Sequence, residues 1–352
     1  RVEIISVLVE QLLDRLREKR QIHSTLLKLE KDIPLSARCI VIKLLEKAEK
    51  SGDRWYLEKA LEFNERVEDP GWHPVKEIVS ASTAVVEHVG DITILLNVVP
   101  ILEEAAREST ESYLSQYLLI INSLLRGGEF YNALDIFSRI GSPHDRTGKH
   151  ALDTSVRIIK EGVLKYEVDL LQRKIIDLYD ADTRDSLIAR AVAEICKEYD
   201  FDLVVSHTTA IESLIRMHTR PDDLLTGCIR ILLERGFVQF HDASILITMA
   251  DQMSDQAERE KAISFIVIEM AKIAVTRKNR DLLQRAVGLT CAIEGQRSRS
   301  EALCRIIDEA SLLAVEQNDL NLLNRMRVWS SDLLDKDFEL YAYESVINGM
   351  IR

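Results

Sequence analysis

ISFIVIEMAKIAVTRKNRDLLQRAVGL, residues 263–289, is the stretch on which the fold turns. Ahead of Asn279 the apolar residues come in pairs, Ile266 with Val267, Met270 with Ala271, and Ala274 with Val275. That is the three-four spacing of one helix face. The polar run Arg277-Lys278-Asn279-Arg280 then breaks the stripe, and Leu283 and Ala286 resume it. The spacing predicts one helix, a tight turn and a second helix folded back on the first.

Outward from this stretch the pattern recurs around Asp53, Asp91, Glu129, Glu167, Asp200, Gly236 and Asp319. With Asn279 in its place, the steps are 38, 38, 38, 33, 36, 43 and 40 residues. Taking each anchor as zero, the upstream helix, A, carries apolar residues at −13, −12, −9, −8, −5 and −4, and the downstream helix, B, at +3, +4, +7, +8 and +11. Gly52-Asp53, Gly90-Asp91 and Asn318-Asp319 suit the turn, since Gly or Asn relaxes a left-handed C-cap and Asp caps the next helix. One hairpin cannot bury its apolar stripe alone, so units of this kind stack. The expected fold is all-α: a right-handed α-solenoid of about eight to nine stacked helical hairpins with a ~38-residue period.

The whole chain, 1–352, reads as a single solenoid. Residues 35–340 hold eight helix-turn-helix units, and 1–34 a degenerate N-terminal hairpin turning near Lys19 and Arg20. Residues 341–352 form a C-terminal capping helix. Asp69-Pro70-Gly71, Gly141-Ser142-Pro143 and Arg220-Pro221-Asp222-Asp223 separate units. Pro100 falls well inside the second B helix, where a kink or split is expected.

The third unit, Ile121 to Ile140 with Pro143 beyond, resembles a tetratricopeptide repeat: Ala133 and Phe137 stand where that family keeps a small and an aromatic residue. The departures lie at −8 and +4, where most units carry bulk such as Leu45 and Ile121, or Leu57 and Leu95. Such bulk holds the helices farther apart and makes HEAT-like packing the nearest competitor. The resemblance implies a protein-interaction scaffold with a concave groove. It names no functional motif.

Charge and composition narrow the function. The 46 basic and 58 acidic residues give −12, which disfavours nucleic acid and anionic lipid as partners unless a local basic patch intervenes. Apolar runs such as Tyr117 to Ile121 fall far short of the roughly 20 residues of a membrane span. Five scattered cysteines without a C-x-x-C pair read as reduced, buried thiols of a cytoplasmic protein. No signal-peptide pattern is present, and the chain opens on Arg1 rather than Met, which leaves room for a lost N-terminal segment.

Phosphate-binding, nucleophile-elbow and zinc motifs are missing, so neither enzyme chemistry nor a cofactor or metal is expected. Candidate partner-binding residues are those that break the repeat's own rule. At +7, where other units carry Ala60, Val98, Ile136, Ala243, Ala286 and Met326, the fourth has Lys174 and the fifth His207. Thr154, Ser155 and Gly162 add to the lapse. It reads either as a polar pocket for a small ligand or as an edge position where Lys174 snorkels and His207 makes an ordinary hydrogen bond. Residues 270–305 reverse the chain's sign, with Arg277, Lys278 and Arg280 at a hairpin turn and Arg297 and Arg299 in an exit loop on the other rim. Trp72, in a breaker loop, packs between units or anchors a partner. The favoured expectation is a scaffold or adaptor binding a protein or peptide, including as a subunit of a larger assembly. The alternatives are a helical-repeat nucleic-acid binder using 270–305 and a small-ligand sensor at repeats four and five.

Overall fold

The computed structural model describes residues 2–16, 18–33, 36–67, 72, 74–107, 113–140, 148–239, 243–317, 319–331, 333 and 336–351. Helices and short 3₁₀ turns are the regular elements of the described residues, which contain no strand. The breakers Asp69-Pro70-Gly71 and Gly141-Ser142-Pro143 lie outside them, as does Asn318.

The chain divides into two compact units, one of residues 1–162 and 169–179 and one of residues 163–168 and 180–352. In the first, α1 spans Val2–Arg15, α2 Lys19–Asp32, α3 Ser36–Ser51, α4 Arg54–Asn64, α5 Val75–Val89 and α6 Thr93–Ala105. It continues with α7 at Leu114–Arg126, α8 at Phe130–Arg139, α9 at Lys149–Leu164 and α10 at Val168–Lys174, save that Val163, Leu164 and Val168 belong to the second unit. In the second, α11 spans Ala181–Glu198, α12 Phe201–Ser206, α13 Thr208–Ile215, α14 Pro221–Glu234 and α15 Ser244–Asp251. It ends with α16 at Gln256–Thr276, α17 at Arg280–Leu289, α18 at Gln296–Gln317, α19 at Leu320–Ser331 and α20 at Lys336–Ile351.

Within each unit the A helices stack on one another and each B helix folds against its own A helix. In the first unit, α1, α3, α5 and α7 succeed one another this way, with α4, α6 and α8 as partners. In the second the succession is α11, α14, α16, α18 and α20. This is α-solenoid packing. The stripe that drives it is the one in the sequence: Ile266, Val267, Met270, Ala271 and Ala274 are all essentially inaccessible. Each large aliphatic so buried contributes about 1.5–3 kcal/mol.

The anchors work as caps. Asp53, Asp200 and Asn279 accept N–H groups from the first turns of α4, α12 and α17, and Asp319 accepts from Asn321 and Leu322 at 3.1 Å. Just before the anchor sits a left-handed residue: Gly52, Gly90 and Gly128 at φ 65°, 76° and 82°. Tyr166 and Lys278 hold the same slot at φ 59° and 54° without being glycine.

Several expectations need correction. The N-terminal turn precedes Lys19, which already begins α2, and the last helix starts at Lys336 rather than 341. Pro100 sits on the exposed side of α6, and the helix runs through it unsplit. The B helices of the middle repeats are not continuous. Here α10 gives way to a 3₁₀ turn at Ile176–Leu178, and the fifth B helix breaks at His207 into α12 and α13. The cause at His207 is competition for helix carbonyls: the Ser206 hydroxyl and His207 Nδ1 both reach Leu203 O, at 2.9 and 2.8 Å. Among the thiols Cys39, Cys196, Cys228 and Cys304 are buried, but Cys291 is exposed.

Candidate functional site

In the second unit the A helices α16, α18 and α20 leave an open groove between them. Ile268 and Lys272 of α16, Glu301, Cys304, Arg305, Asp308 and Glu309 of α18, and Phe338 and Tyr341 of α20 line a cavity of about 590 Å³. A smaller recess of about 240 Å³ continues along α16 and α18 past Lys261, Phe265, Ser298 and Ala302, sharing Ile268, Glu301 and Arg305. In the first unit α7 and α9 frame a largely apolar cavity of about 540 Å³, with Leu114, Leu118 and Leu119 facing Lys149, Asp153 and Arg157.

These grooves share one register. Relative to their anchors, Phe265, Ile268 and Lys272 stand at −14, −11 and −7, and Arg305, Asp308 and Glu309 at −14, −11 and −10. Leu118, Leu119 and Asn122 stand at −11, −10 and −7, with Asp153 and Arg157 at −14 and −10. Helix A therefore has two working faces: one packs at −13, −12, −9, −8 and −5, and the next lines the groove. Sequence reading identified the first face and not the second, whose residues share a position but no chemical type.

The second unit's groove has a defined electrostatic character. Lys272 Nζ lies 2.6 Å from Glu269 and Arg305 Nη2 3.2 Å from Glu301, so both cations are paired on their own helices. The Ser345 hydroxyl donates to Asp308, and the Tyr341 phenol hydrogen-bonds it as well. Burial, and then the Asp308 charge, push the Cys304 thiol up to about 11. The same carboxylate, through its charge and then its hydrogen bond, raises the Tyr341 phenol. A thiol held protonated is a poor nucleophile. Among the described residues no cluster of three or more His, Cys, Asp or Glu could hold a metal ion.

The residues singled out from sequence fall in both units. Lys174 is the last residue of α10 in the first unit and is exposed. His207, in the second unit, is 8% exposed. Its Nε2 lies 3.1 Å from Leu164 O, its Nδ1 is 2.9 Å from Ser206 Oγ, and Tyr166 stacks on the ring at 4.6 Å. The Tyr166 hydroxyl donates to Ser206 O at 2.7 Å. The strained backbone of Tyr166 thus belongs to a staple tying the 163–168 turn to the break between α12 and α13.

Arg280 Nη2 pairs with Asp319 at 2.7 Å and Lys278 Nζ approaches Glu316 at 3.7 Å, while Arg277 is exposed. Arg54 pairs with Asp91 in the same relation, at 2.7 Å, so the cation after an anchor reaches the next anchor's carboxylate. Arg297 and Arg299 lie in the first turn of α18, not in a loop, and Arg299 Nη2 is 3.3 Å from Cys291 Sγ. Ser298 donates to Glu260 near the start of α16, whereas Lys278 follows that helix's end. A helix of this length separates the two basic groups by about 30 Å. Trp72 is half-buried, with the Arg38 guanidinium 5.6 Å from its ring centroid. Among the described residues no helix is long and apolar enough to cross a membrane.

No protein-family model matches the chain. No curated protein matches it either. Among solved structures it is similar to a protein described as "Circular tandem repeat protein with novel repeat topology and enhanced subunit contact surfaces". The identity is 14% and the TM-score 0.23, over 99% of this chain and 98% of that one. The tandem helical repeat therefore stands on this chain's own helix order and packing.

Proposed function

We propose that the chain is a non-catalytic scaffold or adaptor that docks a protein or peptide along the grooves between its A helices. The observation that carries this reading is the shared register: the same face of α7, α9, α16 and α18 is left out of the packing stripe and lines open cavities of about 540 and 590 Å³. Leu119 and Tyr341 are exposed on those grooves at 37% and 52%. Exposed apolar and aromatic groups in a preformed cleft are what a partner side chain buries. The tetratricopeptide-like third unit, whose A helix is α7, fits the same role, and a cytoplasmic setting fits the buried thiols.

The two other readings draw less support. A nucleic-acid surface at 270–305 needs free cations, yet Lys278 and Arg280 serve the neighbouring repeat and Arg297 and Arg299 lie at the far end of α16. A small-ligand pocket centred on Lys174 and His207 needs unsatisfied polar groups, and both His207 nitrogens have partners. The test is affinity capture from native cytosol, with and without nuclease, using wild-type protein and Tyr341→Ala. A protein that survives nuclease and is lost from the variant supports the scaffold. Loss of all captured material on nuclease treatment overturns it.

A further inference from the structure

We propose that the groove between α16, α18 and α20 receives a basic segment of a protein partner, one Arg or Lys side chain entering beside Glu309, Phe338 and Tyr341. This rests on the scaffold reading and names the chemistry its occupant must have.

The groove's own cations are spent locally, Lys272 on Glu269 and Arg305 on Glu301. Two carboxylates remain. Asp308 receives the Ser345 and Tyr341 hydroxyls, which satisfy its oxygens without neutralising its charge. Glu309 is half-buried in the cavity wall and has no ion-pair partner among the described residues. A half-buried carboxylate with no cation beside it can accept a charge-assisted hydrogen bond from an incoming ammonium or guanidinium. Phe338 and Tyr341 of α20 add aromatic rings to the lining, and an aromatic ring favours a guanidinium or ammonium over an anion. Burial first and then the Asp308 charge raise the Cys304 thiol, and the Asp308 charge raises the Tyr341 phenol, each against the opposing Arg305 charge. Volume fits too, since about 590 Å³ falls in the range of clefts that take up small molecules, which leaves room for one long side chain. The net charge of −12 steers a basic partner toward the chain at long range.

The test uses the full chain and two fluorescein-labelled peptides, one alternating Arg with Leu and one alternating Glu with Leu, read by anisotropy. The variants are Glu309→Lys, Tyr341→Ala, and Glu234→Lys as a control at an exposed carboxylate at the end of α14. The expected result is saturable binding of the basic peptide alone, weakened about tenfold or more by Glu309→Lys and by Tyr341→Ala and left unchanged by Glu234→Lys. Equal weakening by Glu309→Lys and Glu234→Lys would reduce the effect to general attraction and overturn the inference. Binding of the acidic peptide that Tyr341→Ala abolishes would overturn the choice of charge while leaving the scaffold standing. Sedimentation showing dimers that Tyr341→Ala disperses would make a second copy the occupant, which also overturns it. Absence of any peptide binding overturns it too, and nuclease-resistant capture then decides the scaffold separately.

Discussion

Gly162 gives the sharpest test of how the hairpins are packed. It is buried on α9 at −5, and a Cβ built there would meet Leu171 Cδ1, Cδ2 and Cγ at 2.6, 2.7 and 2.7 Å. Leu171 is itself fully buried, so its side chain has no free direction in which to yield. Gly227, on α14, is the control, because a Cβ there meets nothing within 4 Å. In an open helix Gly→Ala gains about 0.5–1 kcal/mol from backbone entropy. Gly227→Ala should show that gain. Gly162→Ala has the same gain but adds about 1–3 kcal/mol of overpacking, so its net effect runs from near zero to a loss of about 2 kcal/mol. Gly162→Ala should therefore be less stable than Gly227→Ala by about 1–3 kcal/mol. Urea unfolding followed by circular dichroism gives the sign, and native-state hydrogen exchange localises it to α9 and α10. Leu171→Ala should cost measurably less in the Gly162→Ala background than alone, because the truncated side chain clears the clash. Equal stabilisation by the two glycine replacements would refute this account of how α9 meets α10.

Asp319→Ala removes a cap and the ion pair to Arg280, and should cost about 1–3 kcal/mol with faster exchange at the first amides of α19. Tyr166→Phe loses the hydrogen bond to Ser206 O and should cost about 1 kcal/mol by urea unfolding, while keeping the ring stack on His207. Burial by itself would raise the Asp222 carboxyl, but the N–H groups of Asp255 and Ser254 and the Ser254 hydroxyl outweigh it and hold the group below its ordinary value. A depressed carboxyl stabilises above its unfolded value and loses that contribution as pH falls through the folded one. Asp222→Asn should accordingly flatten the acid limb of the stability-pH curve in the region just below pH 4, read by thermal melts across that range. Ile266→Asp should unfold the second unit's late repeats, because Ile266 is fully inaccessible, while Arg277→Ala should stay within about 0.5 kcal/mol of wild type; circular dichroism separates the two.

The sequence made the packing face readable because burial restricts chemistry. At −13 and −12, Ile266 with Val267 and Ile306 with Ile307 repeat a size and polarity that any stacked unit needs. The caps were readable for the same reason, since few residue types serve at Asp53 or Asn279. The groove face was not. Ile268 and Asp308 share position −11 and nothing else, because a surface facing a partner is constrained by that partner rather than by the fold. Lys174 and His207 did mark an irregularity, but one of helix continuity: α10 ends at Lys174, and the fifth B helix breaks at His207, where polar side chains compete for a carbonyl. The late basic cluster misled for another reason. A cation next to a turn looks free in sequence, and only packing places Asp319 of the next repeat against Arg280.

Site-specific photo-crosslinking is the most direct test of whether the A-helix grooves are the working surface. A benzophenone side chain would replace Leu119 and Tyr341 on the groove register, and Tyr131, 56% exposed on helix α8, as the B-helix control. After nuclease treatment and irradiation in native cytosol, a discrete protein adduct should form at a groove position and not at Tyr131. Equal labelling at all three positions, or adducts only at Tyr131, would contradict the assignment of the groove as the docking face.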